Sequence, residues 1–251
     1  DPAYKLLIKE VSDSIRNKIL RYVMVRRTRT DVMKYFKADM KAQGLKFPDV
    51  ETPQKIVYEY KGELEAIFKK TILKLQEFTY SRYTPLLFYI GNKSLSEFEK
   101  QQQRNVGGFM KGILVKRLES SFYAFRKSVD RFISSYEKFI DMYKNEEYVY
   151  ISKKVDVYDL LESDSLEKLE SFVDEEKVQK YDSKDFRKEF IDLLNLDLSI
   201  LKEIKKLWAD VDSDPKLEEF IRELKSTEAL QNNKLVIFTE SKETGDYLYE
   251  W

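Results

Sequence analysis

The longest regular hydrophobic pattern lies in the middle of the chain, where apolar residues recur at spacings of three and four with no glycine or proline between them. This spacing predicts an amphipathic α-helix whose apolar stripe faces a core. At about 1.5 Å per residue, one continuous helix through the stripe would exceed about 40 Å. We predict one very long helix, and we interpret the stripe as a core seam rather than a binding groove. It consists of Leu114, Leu118, Phe122, Phe125, Val129, Phe132, Tyr136, Ile140 and Tyr143.

Shorter helices are predicted on both sides of this stripe by the same spacing. They cover residues 5–22, a segment capped by Thr28 or Thr30 and ending near Gly44, and residues 62–83, 186–208 and 215–224. Strand patterns occur at residues 54–60 and 148–158. The fold class is therefore mainly α, a helical bundle with a few short strands.

A compact apolar run, Lys234–Phe238, resembles a buried parallel strand, and a helix is predicted from Ser241 onwards. An orphan strand of this type has no predicted neighbours in a helical chain. We therefore expect the chain to be a piece of a longer protein, and we expect that the strand edge could pair with a second copy.

The amino-acid composition excludes several kinds of catalytic and binding site. The 251 residues include no Cys and no His, which excludes disulfides, thiol nucleophiles and Ser-His-Asp triads. No apolar run reaches the roughly 18 residues that span a bilayer, so we expect no membrane contact and a cytoplasmic protein. We identify no catalytic residues and no metal ligands. Asp210, Asp212 and Asp214 have the spacing of a calcium loop, but Pro215 stands where that loop needs glycine.

Charge is unevenly distributed, although 45 basic residues balance 45 acidic ones overall. Residues 1–140 carry a net charge of +12 and residues 141–251 a net charge of −12. We interpret the acidic stretch 156–189 as an exposed insertion, and we expect any nucleic-acid contact in the basic half.

Two basic clusters are candidate phosphate sites. Arg26, Arg27 and Arg29 could bind phosphate, or they could form an internal ion-pair hub that joins two domains. Lys116 and Arg117, with Ser120 and Ser121 beside them, suit a phosphate backbone, but an ordinary solvated helix face would have the same composition.

Three blocks resemble segments of one family. They are Val23–Val32, Gly112–Phe125, and Asp214–Ile221 together with Lys234–Glu240. In order and spacing they resemble the Swi/Snf-type superfamily 2 DNA-dependent ATPases, and in particular their bacterial, RapA-like branch.

The resemblance implies four segments. Residues 1–60 would be the exit from the first motor lobe with its Arg-rich junction, and residues 61–145 a helical insertion. Residues 146–212 would be an acidic insertion and a helix, and residues 213–251 the start of a truncated, second RecA-like lobe.

The resemblance also implies a function, the helical inter-lobe region of an ATP-dependent double-stranded DNA translocase or helicase in the nucleoid. Thr239 and Lys242 would meet the DNA backbone. The chain contains neither the P-loop nor the Asp-Glu box of the family. ATP and Mg²⁺ would therefore be cofactors of the whole protein and not of this chain. The rest of the ATPase motor would be a partner of this chain. The alternative is a helical protein–protein interaction scaffold without a nucleic-acid role, and a carboxylate-based hydrolase is a weaker third hypothesis.

Overall fold

A computed structural model describes residues 2–24, 27–48, 52–92, 96–152 and 178–250, and these residues are mainly helical. They belong to two compact units, Asp1–Lys55 and Ile56–Trp251. Arg26 and the core of the expected acidic insertion, residues 153–177, lie outside the described residues. The division into four segments stays a prediction.

In its described residues, the first unit is a series of helices without a buried core. It contains α1 (Pro2–Ile15), which continues through a π-helical turn (Arg16–Leu20) into α2 (Arg21–Val23), followed by α3 (Arg29–Tyr35) and α4 (Lys37–Ala42). Among the side chains described in this unit, none is buried.

Local signals set the start of α3 and the end of α4 as predicted, but the single helix expected between them is interrupted at Phe36 (φ −123°, ψ 22°). The Thr28 hydroxyl accepts a hydrogen bond from the Asp31 amide at 3.1 Å, and the Thr28 amide donates to the Asp31 carboxylate at 3.0 Å. This is a complete capping box. Two residues after α4, Gly44 has a φ of +65°, which glycine adopts without strain.

The second unit is a bundle of four longer helices. They are α5 (Glu63–Glu77), α6 (Glu97–Ser120), α7 (Phe122–Asn145) and α8 (Glu189–Leu207), with 3₁₀ turns at Ser81–Tyr83, Pro85–Phe88 and Ser183–Asp185. The helices α9 (Pro215–Ser226), α10 (Glu228–Gln231) and α11 (Lys242–Tyr249) follow α8.

The predicted very long helix is not confirmed, because the chain leaves the helical conformation at Ser121. This residue is extended (φ −162°, ψ 157°), and it separates α6 from α7, each of 24 residues. The Ser121 hydroxyl accepts a hydrogen bond from the Ala124 amide at 3.1 Å and so caps α7. We call Ser120 and Ser121 together the elbow.

The stripe is nevertheless a core seam, as predicted. Its residues from Leu114 to Ile140 are all at most 8% exposed. They are continuous across the elbow because α6 and α7 face the same core. That core is completed by α5, α8 and the turns, which contribute Leu75, Phe78, Tyr80, Leu86, Phe190, Leu194, Ile200, Leu201, Ile204 and Trp208.

Of the two predicted strand segments, 148–158 contains a strand and 54–60 does not. β1 (Tyr148–Ser152) pairs antiparallel with β2 (Val178–Asp182), with Tyr150 opposite Lys180. Residues 54–60 form no strand. Instead, the Tyr60 ring lies 5.0 Å from the Phe68 ring and 5.7 Å from the Phe122 ring.

The orphan parallel-type strand is likewise not confirmed. Residues 234–238 are assigned to neither helix nor strand, and no strand pairs with them in the described part of the chain. Val236 is 70% exposed and Phe238 is 90% exposed. Their apolar character is therefore not explained by burial in this unit.

Candidate functional site

Two segments far apart in the sequence meet in a cleft of about 490 Å³ beside the elbow. One wall comes from the last turn of α6 and the elbow, and includes Lys116. The other comes from residues 237–240 and α11. The elbow hydroxyls explain the meeting, since Ser120 Oγ lies 2.7 Å and Ser121 Oγ 2.8 Å from Thr244 Oγ1. Each contact is a hydrogen bond between side chains, and Thr244 is buried.

An ion-pair cluster next to the hydroxyls holds α11 against α6 and α7. Arg117 Nη1 lies 3.2 Å from Glu243 Oε2, and Arg131 Nη1 pairs with Glu243 Oε1. The side chains of Arg117 and Glu243 are only 6% and 12% exposed, so water screens this pair less than it would a surface pair.

The charged state of Glu243 is favoured. Burial by itself would raise the pKa of its carboxyl. Its own backbone amide, the Ser241 hydroxyl, Arg117 and Arg131 outweigh burial, and the pKa is lowered from its ordinary value of 4.5. The Ser241 hydroxyl donates to Glu243 Oε2 at 2.8 Å. Glu243 is therefore held as a carboxylate at neutral pH.

The start of α9 also contacts the elbow. Lys216 Nζ donates to the carbonyl oxygens of Glu119 and Ser120 at 2.6 and 2.9 Å, which satisfies two acceptors at the C-terminal end of α6. Asp214 caps α9 by accepting hydrogen bonds from the amides of Lys216 and Leu217. The elbow is thus fixed from α9 as well as from α11.

The cleft itself is amphiphilic and carries no positive excess. Its charged lining residues are Lys116, Lys216, Glu119, Asp214 and Glu240. The ammonium of Lys216 already donates hydrogen bonds to the carbonyl oxygens of Glu119 and Ser120. The apolar remainder of the lining includes Tyr58, Leu217, Phe220, Phe238, Tyr247 and Leu248. A polyanion therefore finds little net attraction inside the cleft.

The structure brings together four of the residues chosen from the sequence. Lys116, Ser120, Ser121 and Thr239 all line the cleft, and Lys116 is exposed. The Thr239 hydroxyl accepts a hydrogen bond from the Ser241 amide at 3.2 Å.

Other chosen residues lie elsewhere. Arg117 fits neither sequence interpretation, since it is buried in the ion pair with Glu243. Lys242 is exposed at the start of α11 and does not line the cleft. In the first unit, Arg27 and Arg29 are exposed, and Arg29 donates to the carbonyl oxygen of Pro48 at 3.2 Å.

Sequence reasoning missed Arg131, Lys216, Glu243 and Thr244. Arg131 and Glu243 are 112 positions apart, so no local spacing marks them as partners. A weak signal existed only for Thr244, which follows the capping residue Ser241 by three positions, and its amide donates to the Ser241 hydroxyl at 3.4 Å.

Two features are absent among the described residues. No group of three or more carboxylate, His or Cys side chains there could hold a metal ion. In the same part of the chain, no helix is both long enough and apolar enough to cross a bilayer.

Comparison of the whole chain with protein-family models, with curated proteins and with solved structures gives no significant match.

Proposed function

We propose that the chain is the helical inter-lobe region of a bacterial, Swi/Snf-type ATP-dependent DNA translocase or helicase. In this function it contacts phosphates of double-stranded DNA and couples the motion of the lobes to the DNA. Its residues 213–251 would begin a second, RecA-like lobe. ATP and Mg²⁺ would act in the whole protein, and this chain alone would hydrolyse no ATP.

One observation carries the proposal. Two of the blocks that resemble this family, Gly112–Phe125 and Lys234–Glu240, line the same cleft through Lys116 and Thr239. Ser120 and Ser121 of the first block also bond to Thr244, just beyond the second block. The two blocks are therefore neighbours in space, as a shared functional surface requires. Because the cleft carries no positive excess, phosphate contact is proposed for exposed cations and not for the interior of the cleft.

The proposal gives the basic residues different roles. Lys116 and Lys242 are exposed and would contact phosphate, which needs no base recognition. Arg117 would position α11 through Glu243 rather than touch DNA. Arg26, Arg27 and Arg29 would belong to the junction with the first lobe.

Duplex DNA binding across a salt series tests the proposal. The chain should bind two unrelated duplex sequences equally, with affinity falling steeply between about 50 and 200 mM salt. Lys116→Ala with Lys242→Ala should reduce both the affinity and the salt slope. The matched control, Lys138→Ala with Lys188→Ala, removes two exposed charges elsewhere and should change neither by as much.

Two outcomes would contradict the proposal. One is the absence of salt-dependent duplex binding by the chain. The other is ATP hydrolysis above background by the isolated chain, which would conflict with the missing P-loop.

The interaction-scaffold alternative is favoured by one observation, the exposed run Leu235–Phe238, in which all four side chains are at least 45% exposed. Apolar exposure of this kind is typical of a protein contact surface. Sedimentation should then show self-association that is indifferent to duplex DNA and is abolished by Phe238→Ser. A monomer that sediments faster with DNA would favour the translocase proposal.

A further inference from the structure

The exposed side of α6 carries cations and no counter-charge along most of its length. From Lys100 to Leu118 this helix contains no Asp or Glu. Arg104, Lys111 and Lys116 are exposed there. Among the described residues, the side chains of these three form no ion pair or hydrogen bond. Lys100 pairs with Glu97 at 2.7 Å and lowers the pKa of that carboxyl, and the charge of Arg104 contributes to lowering it.

These three cations extend along the helix axis. Arg104 precedes Lys111 by seven residues and Lys116 follows Lys111 by five, so the three span about 18 Å at 1.5 Å per residue. In B-DNA, successive phosphates of one strand advance by about 3.4 Å along the axis. At about 100° per residue, Lys116 lies about 140° around the axis from Lys111, so the cations spread across the exposed arc of α6 as well as along it. Their axial length is similar to that of about five phosphates.

Two glycines, Gly108 and Gly112, lie on the same exposed side, and packing requires neither of them. Gly107 is different, because a Cβ there would lie 2.8 Å from Thr84 Cγ2, so the core requires that glycine. A Cβ on Gly108 or Gly112 would meet nothing within 4 Å, and neither has a positive φ. Each costs about 1 kcal/mol of helix stability relative to alanine.

The two exposed glycines leave a shallow gap between the cations. Gly108 lies between Arg104 and Lys111, and Gly112 lies between Lys111 and Lys116. With no side chain there, a partner's backbone can approach the helix closely, and the flanking cations can reach around it.

We propose that this surface, the α6 cationic face formed by Arg104, Lys111 and Lys116 around Gly108 and Gly112, seats on the phosphate backbone of double-stranded DNA. The inference rests on the proposed function and deepens it by assigning the binding face. Charge complementarity selects the partner. The face binds independently of base sequence, because its cations reach phosphates and the gap accepts a backbone.

Charge removal provides the first test, with fluorescence-labelled duplex DNA and the full chain. Arg104→Ala, Lys111→Ala and Lys116→Ala together should weaken binding at least about tenfold at 0.1 M salt, and should lower the salt slope by about 0.9 for each lost phosphate contact. The control triple, Lys138→Ala, Lys188→Ala and Lys206→Ala, removes the same charge from exposed positions elsewhere. It should weaken binding less than about threefold.

The glycines provide a test that leaves charge unchanged. Gly108→Leu with Gly112→Leu should raise the thermal midpoint, since leucine is the better helix former, yet weaken duplex binding at least about fivefold by blocking close approach. Gly108→Ala with Gly112→Ala should also raise the midpoint, with a smaller loss of binding. Unchanged binding by the leucine variant would overturn the proposed close approach.

The outcomes separate this inference from the proposed function. If the chain binds duplex DNA and both charge triples weaken it equally, the α6 cationic face is the wrong surface while DNA binding stands. If the chain binds no duplex at all, both proposals fail. If polyglutamate of similar length binds the face as tightly as DNA does, the face selects any polyanion, and the assignment to DNA is wrong.

Discussion

The phenolic hydroxyl of Tyr136 on α7 donates a hydrogen bond to the carboxylate of Asp197 on α8 at 2.9 Å, and both side chains are fully buried. The same carboxylate accepts hydrogen bonds from the amides and the hydroxyls of Thr79 and Ser81, all within 2.9 Å. One buried anion therefore ties two bundle helices to the turn after α5. The nearby negative charge also helps burial to raise the pKa of Tyr136.

Replacing Asp197 tests whether this carboxylate stabilises the bundle. Asp197→Asn keeps the size and shape of the side chain but replaces one acceptor oxygen of the carboxylate with an NH₂ donor, which would face other donors. We expect a loss of about 2–4 kcal/mol in the free energy of unfolding, measured with urea. Asp192→Asn, on the exposed side of α8, should cost less than about 0.5 kcal/mol. Equal losses for the two variants would contradict the role of Asp197.

Two glycines of α6 should respond oppositely to alanine. Gly107→Ala places a Cβ 2.8 Å from Thr84 Cγ2, so we expect it to destabilise the chain by about 1–3 kcal/mol. Gly112→Ala meets nothing within 4 Å and should stabilise it by up to about 1 kcal/mol. Thermal unfolding of both variants checks this difference. A stabilising shift for Gly107→Ala would contradict the close packing of Gly107 against Thr84, and a destabilising shift for Gly112→Ala would contradict the open space at Gly112.

Loss of the Glu243 carboxylate should loosen α11. Glu243→Gln removes the charge that Arg117 and Arg131 share, and we expect a loss of about 1–3 kcal/mol because the pair is largely buried. Amide hydrogen exchange should accelerate in α11 but not in α8. Glu240→Gln, at an exposed position two residues before α11, is the matched control and should leave exchange in α11 unchanged.

The contribution of Glu243 should depend on pH in a defined direction. Burial raises the pKa of the Glu243 carboxyl, but its hydrogen bonds and the two arginines lower it by more than burial raises it. The pKa in the folded chain is therefore below 4.5. A lowered folded-state pKa gives stability that is fully present above 4.5 and is lost as pH falls through the folded-state value. The stability difference between the native chain and Glu243→Gln should therefore shrink in acid. A difference that grows below pH 4.5 would contradict this sign.

A disulfide should lock α11 to the elbow. The chain has no cysteine, so Ser120→Cys with Thr244→Cys introduces a single pair where the native oxygens are 2.7 Å apart. Mild oxidation should form the bond nearly completely and raise stability by up to about 4 kcal/mol, because it closes a long loop. Ser120→Cys with Tyr249→Cys, in which the second position is 93% exposed, should remain reduced under the same conditions.

Features governed by neighbouring residues could be predicted from the sequence. The cap at Thr28, the glycine at Gly44 and the cap at Ser241 each depend on contacts within a few residues. The core seam from Leu114 to Ile140 was also predictable, because helical periodicity marks the face that a helix buries.

The break within that seam could not be predicted from periodicity. The apolar spacing continues across Ser121 because both helices pack on one core, so the pattern is the same for a straight helix and for two helices. Only the tertiary structure shows Ser121 in extended backbone, capping α7. Residues 234–238 have the apolar composition of a buried strand but form no strand. A strand needs a partner strand, and the local sequence does not specify one.

The candidate site divides in the same way. The sequence by itself determined the mainly helical class, the core seam and a basic half that contains Lys116. The tertiary structure decided that Arg117 is buried against Glu243, that Thr244 meets the elbow, and that Asp197 joins two helices to a turn. These partners are separated by more than 60 positions, and contacts at that distance are set by how the helices pack, which no local pattern of residues encodes.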